Sequence, residues 1–237
     1  MSRQLLLEIT PAQSPSLDNT VAGANAAAID AAKGLSPGRA LYLWGPPGCG
    51  RSHLLHAIIK DKQAHFFDLN TPADDILLLA TQPLPPTDTL QQTEFVAVDD
   101  IQEMTADQQA AVFALYNRWR ELGATRHAFG LVVAGDRAPM MMPLREDLRT
   151  RLGWDLVFRL EPLSDAEKRE ALTAYAFRRG LPLSEEVLDW MLTYYTRDIR
   201  QLFALVDALD RYSLSKHRNV TVPLVRQMLT DREFLQS

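Results

Sequence analysis

The stretch Gly45-Pro46-Pro47-Gly48-Cys49-Gly50-Arg51-Ser52 decides the fold of this chain. The apolar run Ala40-Leu41-Tyr42-Leu43-Trp44 precedes it and predicts a strand, and His53-Leu54-Leu55-His56-Ala57-Ile58-Ile59 follows it and predicts a helix. A strand, a glycine-rich turn and a helix in this order are the context of a phosphate-binding loop. In such a loop, backbone N–H groups and the helix dipole together attract an anion. The stretch therefore predicts a nucleotide site.

One residue departs from the usual pattern of such loops. The pattern GxxxxGK, followed by Ser or Thr, has a lysine where this chain has Arg51. Arginine keeps the positive charge, but its planar fork is larger than the compact ammonium of lysine. We therefore expect phosphate binding to be retained and the alignment needed for hydrolysis to be impaired.

The composition restricts the class of protein. The 237 residues are 46% hydrophobic and 23% charged, which is typical of a soluble globular protein. No apolar run approaches the roughly 18 residues of a membrane span, and the N-terminus lacks the pattern of a signal peptide. The single cysteine, Cys49, fits a reducing cytoplasm and is more simply a small filler than a redox group. A net charge of −5 argues against strong general affinity for DNA.

The sequence predicts three segments: 1–20, 21–162 and 163–237. Prolines among polar residues predict an extended arm over 1–20, which contains the apolar hexapeptide Gln4-Leu5-Leu6-Leu7-Glu8-Ile9. The hexapeptide is either an edge strand packed on the domain or a linear peptide that docks in another protein's apolar groove. Segment 21–162 alternates strands with helices, which predicts a mostly parallel sheet covered by helices. Segment 163–237 predicts only helices, the last of which begins at Pro223.

Carboxylates follow two of the predicted strands. Asp99 and Asp100 end the run Phe95-Val96-Ala97-Val98. Asp99, with Ser52, could hold Mg²⁺ against phosphates, and Asp100 could orient an attacking water; ordinary turn residues are the alternative. Asp136 follows the strand predicted at 129–134 and suits a sensor of the γ-phosphate. A loop salt bridge with the next residue, Arg137, is an equally good interpretation.

Arginines form two further groups. Arg145, Arg149 and Arg151 crowd the segment 144–154. An arginine inserted in trans can stabilise charge on a transferring phosphoryl group, but a charge-rich helix end would have the same pattern. Arg197 and Arg200 open a helix of the last segment. A solvated helix face is the better interpretation for Arg197, whereas Arg200 suits a lid residue that reaches back to a nucleotide.

Taken together, these motifs resemble the AAA+ domain of the bacterial initiator DnaA, and most closely the DnaA regulatory inactivator (Hda) family. The resemblance is carried by 41–57, Val98-Asp99-Asp100-Ile101-Gln102, Leu115-Tyr116-Asn117-Arg118, Gly135-Asp136-Arg137-Ala138-Pro139, Arg149-Thr150-Arg151-Leu152-Gly153-Trp154 and Asp198-Ile199-Arg200. It implies an α/β fold of the AAA+ P-loop NTPase type, with a five-stranded parallel sheet and a small C-terminal all-helical lid. It also implies that Arg151 is the arginine finger and that Arg200 is the second sensor.

The resemblance implies a negative regulator of chromosomal replication initiation. Such a protein binds ADP or ATP with Mg²⁺, sits on the DNA-loaded sliding clamp of DNA polymerase III, and stimulates hydrolysis of the ATP held by DnaA. DNA would be contacted only through the clamp, since the chain ends at Ser237 with no room for DnaA's DNA-binding domain. The resemblance is also compatible with a homo-oligomer. A self-contained AAA+ ATPase that remodels or loads a replication partner is the alternative, and turnover by the isolated protein would favour it.

The implied roles fall on particular residues. The catalytic residues would be Arg151 and Asp100, and the clamp-binding residues would be Gln4, Leu5, Leu7 and Ile9. Ser52 and Asp99 would hold the metal ion. The nucleotide would be bound by Gly45, Pro46, Pro47, Gly48, Cys49, Gly50, Arg51, Ser52, His53, Asp136 and Arg200. Clamp affinity depends on the end of the hexapeptide, where this chain has Glu8-Ile9 and family members often have an apolar pair.

Overall fold

The computed structural model describes residues 15–18, 20–83 and 93–231. The chain divides into two compact units, Pro15–Pro162 and a second unit that begins at Leu163. The clamp-binding peptide predicted at residues 4–9 lies outside the described residues. None of the helices that the structure describes is long and apolar enough to cross a membrane.

The first unit is built on a parallel sheet. Its strands are β1 (Ala40–Trp44), β2 (Ala64–Phe67), β3 (Phe95–Val98), β4 (Gly130–Gly135) and β5 (Leu156–Arg159). They lie in the order β2-β3-β4-β1-β5, and every neighbouring pair is parallel. The predicted five-stranded parallel sheet is confirmed. Its carboxyl edge carries the residues that follow β1, β3 and β4, which is where ligands bind in open α/β sheets.

Helices cover both faces of the sheet. They are α1 (Ala26–Lys33), α2 (Arg51–Ile59), α3 (Ala73–Thr81), α4 (Ala106–Leu122) and α5 (Glu146–Leu152). One apolar cluster packs α4 and α5 on one face, and a second packs α1 and α2 on the other. Because both faces are covered, β3 and β4 are buried along their whole length, and their sequences are continuous apolar runs.

Helix α4 begins at a capping box, as its sequence predicts. The Thr105 hydroxyl accepts from the Gln108 backbone N–H, and the Gln108 side chain accepts from the Thr105 N–H at 2.8 Å. The buried Gln108 amide also donates to the carbonyls of Leu69 and Thr71, at 3.1 and 2.7 Å. One side chain therefore both caps α4 and fixes the loop that follows β2.

The second unit is all-helical in its described part. Its helices are α6 (Asp165–Phe177), α7 (Glu185–Trp190), which continues as a π-helix (Met191–Tyr195), α8 (Ile199–Lys216) and α9 (Val222–Thr230). The capping box Ser164–Glu167 and the cap Ser184 are confirmed. The prediction that Pro223 occupies the first position of the last helix is wrong by one residue. Thr221 caps this helix through its hydroxyl, so Val222 is first.

Asn25 joins the start of the first unit to the end of its sheet. Its side-chain amide donates to the Glu161 carbonyl at 2.9 Å and accepts from the Glu161 N–H at 2.8 Å. The Asn25 residue is only 8% exposed. The pair therefore satisfies both backbone groups of Glu161 just beyond β5 and holds α1 against that strand.

We expect Asn25→Ala to lower the free energy of unfolding of the first unit by about 2 kcal/mol, because it leaves the N–H and the carbonyl of Glu161 without partners. Urea unfolding of wild type and variant measures the difference. Asn70→Ala is the control, since among the described residues Asn70 bonds only Asp68, on an exposed turn, and its effect should stay within about 0.5 kcal/mol. Equal effects of the two substitutions would contradict the role of Asn25.

Candidate nucleotide site

The loop between β1 and α2 has the shape of an anion cradle. Gly48 and Gly50 have φ of 79° and 97°, and Gly50 immediately precedes the first residue of α2. Residues with a Cβ rarely adopt this conformation, so glycine is required at both positions. A Cβ added at Gly48 or Gly50 would meet no atom within 4 Å, so the loop is open where a ligand would lie. Its backbone N–H groups and the N-terminus of α2 fit the phosphates of a nucleotide.

Ser52 and Asp99 come together beneath this loop. Asp99 is 5% exposed, and its burial raises the pKa of the carboxyl, while a hydrogen bond from Ser52 acts in the opposite direction. A hydroxyl and one carboxylate beside phosphates are the donor set by which phosphate-loop proteins hold Mg²⁺. Among the described residues, no three His, Cys, Asp or Glu side chains are grouped for a metal ion. Mg²⁺ would thus be held by Ser52, Asp99 and the nucleotide itself, and it would neutralise phosphate charge.

Arg51 turns back across the sheet edge. Its Nη1 donates to the Gly45 carbonyl and, at 3.0 Å, to the Gly135 carbonyl. Its Nη2 lies 3.1 Å from Oδ1 of Asp100. The Arg51 side chain is only 12% exposed. One guanidinium therefore joins the loop after β1, the residue after β3 and the end of β4.

Asp100 is held in an unusual conformation by its neighbours. Its φ of 45° and ψ of 47° lie in the left-handed region, which aspartate tolerates better than most residues. Its N–H donates to Oδ1 of Asp99 at 2.9 Å, and its own Oδ1 accepts from the Gln102 amide at 2.9 Å. The carboxylate predicted to orient water is thus bonded on one oxygen to both Arg51 and Gln102.

The end of β4 completes the same edge. The Asp136 N–H donates to Oε1 of Gln102 at 3.1 Å. The Asp136 carboxylate forms the salt bridge with Arg137 that was the alternative interpretation, and Arg137 lowers the pKa of that carboxyl. Gly135 must lack a side chain, since a Cβ there would lie 2.3 Å from the Tyr42 hydroxyl. Its carbonyl accepts from Arg51.

Two other residues that were predicted to bind the nucleotide, Cys49 and His53, have different surroundings. Cys49 is buried in the core on the α1 and α2 face, and burial raises the pKa of its thiol. This matches the interpretation as a filler residue. His53 lies in α2, with its Nε2 3.3 Å from Oγ1 of Thr20.

Arg151 lies on α5 and packs against α4. Its Nη1 donates to the Phe113 carbonyl at 3.1 Å and to Oδ1 of Asn117. The guanidinium carbon lies 3.5 Å from the centre of the Phe113 ring and 5.1 Å from that of Trp154. Partial burial lowers the pKa of Arg151, and an arginine guanidinium is protonated throughout in proteins. The cation is thus oriented by an aromatic face and an amide.

A surface groove of about 570 Å³ opens beside Arg151. It is lined by Arg145, Glu146, Asp147, Thr150, Arg151 and Trp154. Arg145 is exposed and pairs with Asp147 at 2.8 Å, whereas Nε of Arg149 is buried and makes no hydrogen bond with the described residues. The three arginines of this segment therefore have different environments, although they lie close together in the sequence.

The predicted lid arginines lie in the second unit. Arg200 follows the cap of α8 and pairs with Asp198 at 3.0 Å, and this contact raises the pKa of Arg200. Arg197 is largely exposed and lies 3.4 Å from Asp165. The interpretation of Arg197 as a residue on a solvated face agrees with that exposure, and the role of Arg200 stays a prediction.

Sequence reasoning missed three residues of these sites. Gln102 bridges Asp100 and the N–H of Asp136, while Phe113 and Asn117 hold Arg151. The position of Gln102, two residues after an acidic pair, is the signal that could have indicated it. Phe113 and Asn117 lie one helical turn apart on α4, but nothing local in the sequence links them to α5.

Comparisons with known proteins agree with this architecture. Residues 41–160 match the model of the ATPase family associated with various cellular activities (AAA). Residues 165–229 match the model of the Hda lid domain.

Solved structures share the fold at low sequence identity. Domain III of the replication initiation protein DnaA from Thermotoga maritima is 20% identical, with a TM-score of 0.65, and the match covers 94% of this chain and 98% of that one. AMPPCP-bound DnaA from Aquifex aeolicus is 18% identical, with a TM-score of 0.60, over 87% of this chain and 68% of that one. A mutant of RuvB from Thermotoga maritima is 16% identical, with a TM-score of 0.61, over 91% of this chain and 71% of that one. At these identities the likeness establishes the fold.

The parallel sheet, the phosphate-binding loop and the family match define the class: the chain belongs to the AAA family of ATPases. Within that class, its all-helical second unit makes it an Hda-like, DnaA-related AAA+ protein. The predicted family and fold class are confirmed.

We expect the isolated protein to bind adenine nucleotide but to turn it over far more slowly than about 1 s⁻¹, the low end of the ordinary enzyme range. The planar fork of Arg51 is larger than the compact ammonium of lysine and displaces the contact with the β- and γ-phosphates, and the Asp100 carboxylate is held by Gln102. Steady-state hydrolysis and a fluorescent-ADP titration on the same preparation measure both properties. Turnover near about 1 s⁻¹ would contradict this account and favour the self-contained ATPase.

Proposed function

We propose that this protein is a negative regulator of replication initiation that acts on the initiator DnaA. In its nucleotide-bound form it binds the sliding clamp on DNA, docks on ATP-bound DnaA and stimulates hydrolysis of that ATP. The nucleotide held by its own loop is a structural ligand, ADP or ATP with Mg²⁺. Arg151 supplies positive charge to the phosphoryl group held by DnaA.

The placement of Arg151 is the observation that carries this proposal. Among the described residues, both of its hydrogen bonds go to α4, and neither goes to the chain's own phosphate loop. The guanidinium is held against the Phe113 ring beside an open groove. A finger that acts in trans needs this combination, because it must be accessible to a partner and oriented before the partner arrives.

The arrangement around Arg51 supports a regulator rather than an independent ATPase. Hydrolysis needs a positive group on the β- and γ-phosphates and a residue that orients water. Here arginine replaces the compact charge of lysine, and Oδ1 of Asp100 accepts from Gln102 as well as from Arg51. Arg151 would then supply its charge to another molecule's nucleotide.

We expect Arg151→Ala to lose about 10³-fold or more of the stimulation of DnaA-bound ATP hydrolysis, which corresponds to about 4 kcal/mol of transition-state stabilisation. A finger acts on charge that develops in the transition state, so binding of clamp and nucleotide should change little. The experiment measures hydrolysis of DnaA-bound ATP with the variant, the clamp and DNA.

Arg145→Ala is the matched control for Arg151→Ala. It removes the same charge from the same groove, but Arg145 is exposed and pairs only with Asp147 among the described acidic residues. We expect this variant to lose less than about tenfold, since a screened surface charge contributes little. If Arg145→Ala is inactive and Arg151→Ala is active, the finger is assigned to the wrong arginine. If both variants stimulate normally, the trans mechanism is wrong.

We expect Gln4→Ala combined with Leu7→Ala to abolish capture by the sliding clamp. Short linear motifs bind through a few anchoring side chains, so two truncations remove most of the affinity. The melting temperature should be unchanged, and so should nucleotide affinity. The control is Gln13→Ala, outside the hexapeptide. Retained clamp binding by the first double variant would place the docking site elsewhere.

A further inference from the structure

The Arg51 guanidinium donates hydrogen bonds to three other groups of the protein. A guanidinium has five N–H donors in a fixed plane. In this structure Nη1 serves the carbonyls of Gly45 and Gly135, and Nη2 serves Asp100. A planar fork that faces these groups cannot present the same edge to a phosphate, because bidentate pairing requires two parallel N–H bonds to one anion. Phosphate and Asp100 thus compete for one side chain.

Neighbouring groups orient the Asp100 carboxylate towards the Arg51 side chain. The backbone of Asp100 lies in the left-handed region, fixed by the bond from its N–H to Asp99. Gln102 donates to the same Oδ1 that Arg51 contacts, and Gln102 is itself positioned by the N–H of Asp136. A strained backbone that several contacts maintain indicates a functional rather than an incidental position. The carboxylate is therefore oriented towards Arg51 by its own turn and by the residue that follows β4.

We propose that the Arg51–Asp100 pair is an intramolecular latch that nucleotide phosphate must open, and that Asp100 thereby lowers the protein's affinity for nucleotide. Asp100 is a positioning residue: it acts through Arg51 and need not touch the nucleotide. The pair holds the loop to the turn after β3, and the bond from Arg51 to the Gly135 carbonyl holds it to the end of β4. When phosphate binds, Arg51 exchanges Asp100 for the phosphate oxygens. This inference rests on the proposed nucleotide site, but not on the action on DnaA.

The expected size of the effect follows from the strength of the pair. Side-chain exposures of 12% for Arg51 and 33% for Asp100 place it between buried and surface pairs. A surface pair contributes up to about 1 kcal/mol, which at 25 °C leaves the latch open in roughly one molecule in six. The apparent dissociation constant equals the intrinsic constant divided by the open fraction, so removing the latch should tighten binding about sixfold.

The test is a double-mutant cycle read by nucleotide affinity. Wild type, Asp100→Asn, Arg51→Met and the double variant are titrated calorimetrically with ADP and Mg²⁺. Asp100→Asn removes the ion pair in an isosteric side chain, so it should tighten binding about sixfold in the wild-type background. In the Arg51→Met background it should have no effect, because the gain depends on releasing Arg51.

Each other result of the cycle overturns the latch. An equal gain in both backgrounds would mean that Asp100 merely repels phosphate. No gain, or weaker binding, in the wild-type background would mean that Asp100 supports the nucleotide rather than competing with it. If wild type does not bind ADP at all, the latch and the nucleotide part of the proposed function both fail. If wild type binds and the cycle shows no coupling, only the latch fails.

A second readout uses the nucleotide-free protein. The latch joins three segments, so Asp100→Asn should lower the melting temperature without ADP. Saturating ADP should raise the melting temperature of this variant by more than it raises that of wild type. Asp155→Asn is the charge-matched control. Asp155 pairs with Arg39 and accepts from the Ala40 N–H, at the opposite end of β1 from the loop. The ADP affinity of the Asp155→Asn variant should equal that of wild type. If Arg51→Met does not fold, Arg51→Gln replaces it, since its amide can still donate to a loop carbonyl.

Discussion

The candidate site depends on the hydrogen bonds that the Arg51 guanidinium makes. Arg51 is the one side chain that reaches the loop after β1, the acidic turn after β3 and the end of β4 within the described part of the chain. In a phosphate loop with lysine, a point charge would be directed to the nucleotide. A planar fork with five donors can instead join protein segments, and here it joins three. The substitution therefore changes what the loop does as well as how well it hydrolyses.

Arg51 and Arg151 lie in different surroundings and have different proposed roles. Arg51 is enclosed and serves the chain's own site, while Arg151 is held by Phe113 and Asn117 beside an open groove. A protein that hydrolysed its own nucleotide would need both kinds of charge on one ligand. Their separation is the physical basis for proposing that this chain retains a nucleotide and completes a site on another molecule.

Local sequence patterns predicted most of the fold, because each was set by neighbours in the chain. The strand, loop and helix around Gly45, the capping boxes at Thr105 and Ser164, and the helical second unit are confirmed. Helix α3 was missed, since no side chain caps its N-terminus. The pairing of Arg51 with Asp100 could not be predicted, because it joins positions 49 residues apart through the strand order. The contact between Arg151 and Asn117 was missed for the same reason.

A crystal structure of the protein with ADP and Mg²⁺ tests the central claim most directly. The quantity to read is the distance from Nη2 of Arg51 to Oδ1 of Asp100, which is 3.1 Å in the structure described above. The account predicts that this contact is broken and that the guanidinium bonds phosphate oxygens, while Gln102 still holds the Asp100 carboxylate. An intact Arg51–Asp100 pair, with phosphate bound only by backbone N–H groups and Ser52, would contradict it.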